Sequence, residues 1–193
     1  MVATATLTTI AGRETAILRA VRALPCGKLA SYGEIARRAG VSHAAPKHHF
    51  PTLGHLLGEI AARGFERFTQ ALEEAAARAS DASPEGRLLA MGLSYFKFAE
   101  RNPAIYGLMF GKRDQCEFTP HLAEAARGAW MQLQQATASV VGPARAPEAA
   151  MLVFSAVHGY ATMKMESRIP LKDMPEDMEH RILRLLMNGL KGT

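Results

Sequence analysis

The segment "SYGEIARRAGVSHAAPKHHF", Ser31 to Phe50, decides how the rest of the chain is to be read. Ser31 and Glu34 have the spacing of a capping box, in which the serine hydroxyl accepts from the Glu34 amide and the Glu34 carboxylate returns to Ser31. A helix starting there runs through Ile35 and Ala36 to Ala39, where Gly40 supplies the left-handed residue that closes it. Ser42 then caps a further short helix. Helix, tight glycine turn and short helix make a helix-turn-helix pattern, whose second helix enters a DNA major groove.

Charge points the same way. Residues 1–63 carry eight Lys and Arg against three Glu, and the remainder balances, so the whole excess of +5 lies in the first third, with four of the seven histidines. A positive field on one end of a neutral body suits a polyanion-binding head. At 193 residues, nearly half of them apolar, the chain can bury a substantial core. No uninterrupted apolar run is long enough to span a bilayer, and the first residues lack the basic start of a signal peptide, so no membrane partner and a cytoplasmic location are expected. Cys26 and Cys116 lack the partners of a zinc site or disulfide framework.

The periodicity predicts an all-α fold. Ala16, Ile17, Ala20, Val21 and Leu24 form the apolar stripe of a helix over Arg13 to Leu24. A long helix follows from a cap at Thr52 to about Ala79, and "SDASPEG" breaks it. Further helices are expected over Pro84 to Arg101, Tyr106 to Phe110, Pro120 to Val141, Pro147 to Glu166 and Pro175 to Leu190, separated at Asn102-Pro103, Gly111 and Gly142-Pro143. The expected division is a head over 1–51 and a helical body over 52–193.

"EIARRAGVSHAAPKHHFPTLGHLL" resembles the DNA-binding signature of the TetR family of bacterial regulators, and "YFKFAERNPAIYGLMFG" with "FSAVHG" is similar to one branch of its ligand-binding domains. The resemblance implies an all-helical homodimer: a head that reads a palindromic operator and a body that binds an effector releasing the DNA. The chain departs from the pattern at Lys47, where the family has a tyrosine, at Leu53-Gly54, where it has Lys-Glu, and at Phe154, where it has tryptophan. "LPCGKLASYGEIARRAG" is also similar to the helix-turn-helix entry of alkylguanine-DNA alkyltransferases. Those enzymes need Pro-Cys-His-Arg, and neither cysteine here has that setting.

The candidate DNA contacts are Ser31, Tyr32, Ser42, His43, Ala44, Ala45, Lys47, His48 and His49: small or polar groups for base edges and phosphates on a double-stranded operator. Arg37 and Arg38 read as a solvated helix face. The candidate effector contacts are Tyr95, Phe96, Tyr106, Met109, Phe110, Trp130, His158 and Met163, an apolar lining with few polar tips that suits a small hydrophobic molecule. The last two helices are apolar on more than one face and are expected to pair two copies, with Val153 and Leu186 toward the partner. A cluster of His43, His48, His49 and His55 lacks the carboxylate or cysteine of a usual metal site, so no metal and no cofactor are called for. No nucleophile-base-acid set suggests an enzyme. The alternative to a ligand-responsive repressor is a helical ligand-binding or scaffold protein without specific DNA binding.

Overall fold

The computed structural model describes residues 31–40, 42, 50–111, 116–166 and 174–191. The expected helix over Arg13 to Leu24 and the short helix after Ser42 lie outside these. Among the described residues there are seven helices and no strand: α1 (Tyr32–Ala39), α2 (Leu53–Ala77), α3 (Pro84–Arg101), α4 (Pro103–Phe110), α5 (Pro120–Val141), α6 (Ala146–Met165) and α7 (Met178–Lys191). The fold is all-α, as the periodicity requires.

Local chemistry sets the boundaries. The Ser31 hydroxyl accepts from the Glu34 amide at 3.2 Å, and Gly40 ends α1 at φ 68°, with its N–H directed to the carbonyls of Ala36 and Arg37. The capping box is one-armed, however. Glu34 Oε1 accepts from Arg38 Nε at 3.2 Å, one turn along, so an in-register cation takes the carboxylate expected to return to Ser31. Thr52 caps α2 by accepting from the His55 amide at 3.0 Å. Prolines begin α3, α4 and α5, where a missing N–H costs nothing.

The chain forms two compact units, and two of their three boundaries fall inside helices: one unit takes residues 1–65 with 102–125, the other 66–101 with 126–193. In the first, Ile35, Ala36, Leu56, Ile60, Phe65, Ile105 and Tyr106 are buried, and Phe110 meets Phe65 edge-on with centroids 5.2 Å apart. Gly64 permits close approach of α4, since a Cβ there would lie 2.7 Å from Ile105 Cγ2 and 2.8 Å from Met109 Sδ.

In the second unit, α3 packs on α6 and α7. A Cβ on Gly92 would meet Leu183 Cδ2 at 2.4 Å, which shows how closely α3 and α7 approach. Lys164 on α6 joins Glu100 on α3 and Glu179 on α7, the latter at 2.7 Å. Burial alone would lower the lysine's pKa, but the two carboxylates outweigh it and raise it well above the ordinary range.

Candidate DNA-reading head and effector-binding body

In the head, Ser31 and Ser42 are exposed, and Tyr32 is the first residue of α1. His43, Ala44, Ala45, Lys47, His48 and His49 lie outside the described residues. Arg37 and Arg38 are exposed on α1, Arg38 in its pair with Glu34, which agrees with a solvated face.

The start of α2 carries an arrangement that periodicity did not show. Residues 116–122 form a clasp on its first two turns. Thr52 Oγ1 donates to Glu117 Oε1, and the Glu117 amide donates to the Gly54 carbonyl at 3.0 Å. One turn on, Glu59 accepts through Oε1 from Thr119 Oγ1 at 2.9 Å and pairs through Oε2 with His121 Nδ1 at 2.8 Å. Thr119, itself buried, also accepts from the Leu122 amide at 3.1 Å and so caps α5. Burial would raise the Glu59 pKa, yet the hydrogen bonds from His121 and Thr119 and the charges of His121 and His55 bring it below its ordinary value.

Two glycines make room for this clasp. A Cβ on Gly58 would lie 2.3 Å from the Glu117 carbonyl oxygen, and one on Gly54 would lie 3.0 Å from Glu117 Cγ. The departure at position 54 from the motif thus has a structural cause: the position faces the clasp. Glycines at i and i+4 in an otherwise helix-favouring segment were the available signal, because they leave a groove on one helix face. Their partner stands about sixty residues later, where no local pattern points back.

In the body, Tyr95, Phe96, Trp130 and His158 come together. Tyr95 and His158 share a 2.8 Å hydrogen bond between the phenol oxygen and Nδ1. Phe154 stacks on His158 at 5.0 Å and meets Trp130 edge-on at 6.2 Å, so the residue at the usual tryptophan position joins the two. Phe68 contacts Tyr95 edge-on at 5.1 Å, and Phe96 contacts Tyr160 at 5.3 Å. Burial lowers the His158 pKa, because desolvation disfavours the charged imidazolium.

Tyr106, Met109 and Phe110 pack in the other unit, around Phe65 and Gly64. Met163 is 41% exposed on α6. Val153, expected toward a partner, is buried within the chain, whereas its neighbour Leu152 is 51% exposed; a helix apolar on all sides left no sequence signal by which to choose between them. On α7, Leu186 is half-buried and Leu185 is 71% exposed. Cys116 is half-buried, with its thiol pKa raised by desolvation. Among the described residues, no three His, Cys, Asp or Glu side chains gather as a metal site, and no single helix is long and apolar enough to cross a membrane.

The family profile described as "Tetracyclin repressor-like, C-terminal domain" matches residues 88–188, just over half of the chain. The protein belongs to the TetR family. It is a transcription regulator, not an enzyme. Among solved structures, this TetR-family chain is similar to a protein of unknown function from Rhodococcus sp. RHA1, at 27% identity and TM-score 0.75, with 93% of this chain and 94% of that one covered. It also shares its fold with a TetR family transcription regulator from Marinobacter aquaeolei VT8, at 15% identity and TM-score 0.66, covering 91% and 94%. No curated protein matches the chain.

Proposed function

We propose that this regulator is a repressor that binds a palindromic operator as a homodimer and leaves it when a small, largely apolar effector enters the body. The division of labour falls near residue 51, with residues 1–51 as the reading head. The carrying observation is α2, one uninterrupted helix of 25 residues that starts three residues after Phe50 and sets Phe68 against Tyr95 and Phe98. At about 1.5 Å per residue such a helix is some 37 Å long. An effector shifts the operator equilibrium only if it binds the DNA-incompetent arrangement more tightly than the competent one.

The proposed contacts follow from chemistry. Ser31, Tyr32, Lys47 and His49 hold phosphates, while Ser42, His43, Ala44, Ala45 and His48 face the groove. Tyr95, Phe96, Trp130 and His158 form the effector wall, and Tyr106, Met109 and Phe110 carry the response in their own unit. Exposed Leu152, Met163 and Leu185 supply the apolar surface of the dimer.

Genome-wide mapping of bound sites, followed by titration of one recovered palindrome at several salt concentrations, tests the reading. A repressor gives a single inverted repeat and a log-affinity that falls linearly with log salt. Weak binding independent of sequence would favour the scaffold alternative. A monomer in light scattering at micromolar concentration would end the dimer proposal, and charge at Leu152 or Leu185 should produce that monomer from a wild-type dimer.

A further inference from the structure

Two segments of the first unit each offer one histidine and one glutamate, four positions apart: His55 and Glu59, one turn apart on α2, and Glu117 and His121 across the start of α5. The fold sets them against each other in a crossed arrangement, so the acid of each segment meets the base of the other. Glu59 Oε2 lies 2.8 Å from His121 Nδ1, and Glu117 Oε2 lies 3.8 Å from His55 Nδ1. Each contact is an ion pair only while its imidazole carries a proton. All four side chains keep some exposure to solvent, which gives protons access.

Deprotonation changes what the two carboxylates have. Glu59 remains ionised throughout the range in which imidazoles titrate, since its pKa is held below the ordinary 4.5, and the charges that act on it are those of His121 and His55. Once these are neutral, Glu59 and Glu117 keep the hydroxyls of Thr119 and Thr52 and uncharged imidazoles, and a bond without charge on the donor is weaker. The surroundings change little over the same range. Arg63 stands one turn beyond Glu59 on α2, and Glu124 lies three residues after His121 on α5. The segment Pro103–Phe110 of α4 carries no charged side chain, α1 pairs Glu34 with Arg38 and exposes Arg37, and burial raises the Cys116 thiol above its ordinary 9.0.

The backbone is tied to the same contacts. The Glu117 amide donates to the Gly54 carbonyl at 3.0 Å, and the Leu122 amide donates to Thr119 Oγ1 at 3.1 Å. We infer that the crossed quartet is a proton-controlled latch: with His55 and His121 protonated it holds the first two turns of α2 against the start of α5, and deprotonation loosens it, so that the operator is bound more tightly in mildly acidic than in mildly alkaline solution. A fixed start of α2 leaves the head fewer arrangements to give up on binding. The operator consequence rests on the repressor reading, whereas the latch itself is measurable without DNA.

The test is amide exchange by NMR on the full chain, with rates normalised to those of an unstructured peptide at each pH, stepped from about 5.5 to about 8 across the imidazole range. Protection of the Glu117 and Leu122 amides should fall about three- to fivefold as pH rises, a modest change because ion pairs open to solvent are individually weak. So small a local change is read at these amides, not in whole-chain unfolding. His121→Gln, which keeps a donor but takes no charge, should hold both amides at the alkaline level at every pH; His55→Gln should weaken the response, and His180→Gln, on α7 in the other unit, should leave it as in the wild type. Wild-type protection that is constant with pH, that rises with pH, or that changes equally in His121→Gln overturns the latch. The recovered palindrome is then titrated at both ends of the range, where the wild type should lose more affinity on going to alkaline solution than His121→Gln loses, a comparison that cancels the histidines of the head. Equal losses, with the amides behaving as expected, support the latch and overturn its control of the operator.

Discussion

The clasp on the first turns of α2 and the aromatic cluster of the body are both well packed, by opposite means. The clasp is polar: hydroxyl and carboxylate side chains, an imidazole and two glycines, each placed by a directional bond or by the absence of a Cβ. The cluster is apolar: Phe68, Tyr95, Phe96, Phe98 and Tyr160 meet edge to face, with centroids between 5.1 and 6.4 Å apart. Directional bonds fail when charge or backbone position changes, and packed rings fail when volume is lost. The two regions should therefore respond to different perturbations.

The largest effect is expected from volume loss in the cluster. Phe96 is 1% exposed, and Phe96→Ala should cost about 3–5 kcal/mol in urea unfolding. A cost below about 1 kcal/mol would mean that the rings collapse readily and are not held as described.

Next comes Gly58→Ala. In an ordinary helix interior this exchange is worth roughly 0.5–1 kcal/mol of added stability. Here the new methyl would meet the Glu117 carbonyl, and a net loss of about 1–3 kcal/mol is expected. Gly128, on α5, where an added Cβ would have nothing within 4 Å, is the control that should gain. If both substitutions stabilise, the clasp yields and the contrast between the regions dissolves.

Thr119→Val keeps the shape but removes the hydroxyl that serves Glu59 and the Leu122 amide. A loss of about 1–2 kcal/mol is expected, together with faster amide exchange in the first turn of α5. Unchanged exchange at Leu122 would show that the cap is not formed.

The smallest effects separate the regions by pH. His158 has a folded-state pKa below its ordinary 6.5, so the unfolded chain binds the proton first, and the contribution is present above that pH and lost as pH falls from it toward the lowered value. Glu59 has a folded-state pKa below its ordinary 4.5, so its contribution persists at neutral pH and is lost only as pH falls from that range through the lowered value. Difference curves of stability against pH for His158→Gln and Glu59→Gln should thus diverge from wild type in two windows, the first near neutrality and the second in acid. Coincident windows would overturn the assignment of either group.

Much of the fold was legible because its punctuation is chemical. Pro84 and Pro120 announce helix starts, and Ser31, Thr52 and Gly40 mark ends that the backbone uses, whereas Pro103, expected as part of a break, begins α4. The division into two units was not legible. Its boundary at Asn102 coincides with the expected Asn102-Pro103 break, but the other two pass between Phe65 and Glu66 and between Ala125 and Ala126, inside helices that run on without a breaker. At the candidate sites, residue type identified Tyr95, Phe96, Trp130 and His158, which do assemble, but it grouped with them Tyr106, Met109 and Phe110 from another unit. Glu59 and His121 could not be paired from sequence, because a carboxylate and an imidazole 62 positions apart leave no periodic trace.

The approach of Gly58 to the Glu117 carbonyl also bears on how this chain can diverge. A backbone oxygen cannot be exchanged by substituting residue 117, so no single change on that side accommodates a methyl at position 58. A lineage that acquires a larger residue there must re-route the backbone of 116–119, by insertion, deletion or a new turn, and in doing so gives up the hydrogen bonds of Thr52, Gly54 and Glu59 together. Position 58 and the length of the 111–119 connection should therefore vary as one inherited character among descendants of this protein, with glycine retained wherever that length is kept.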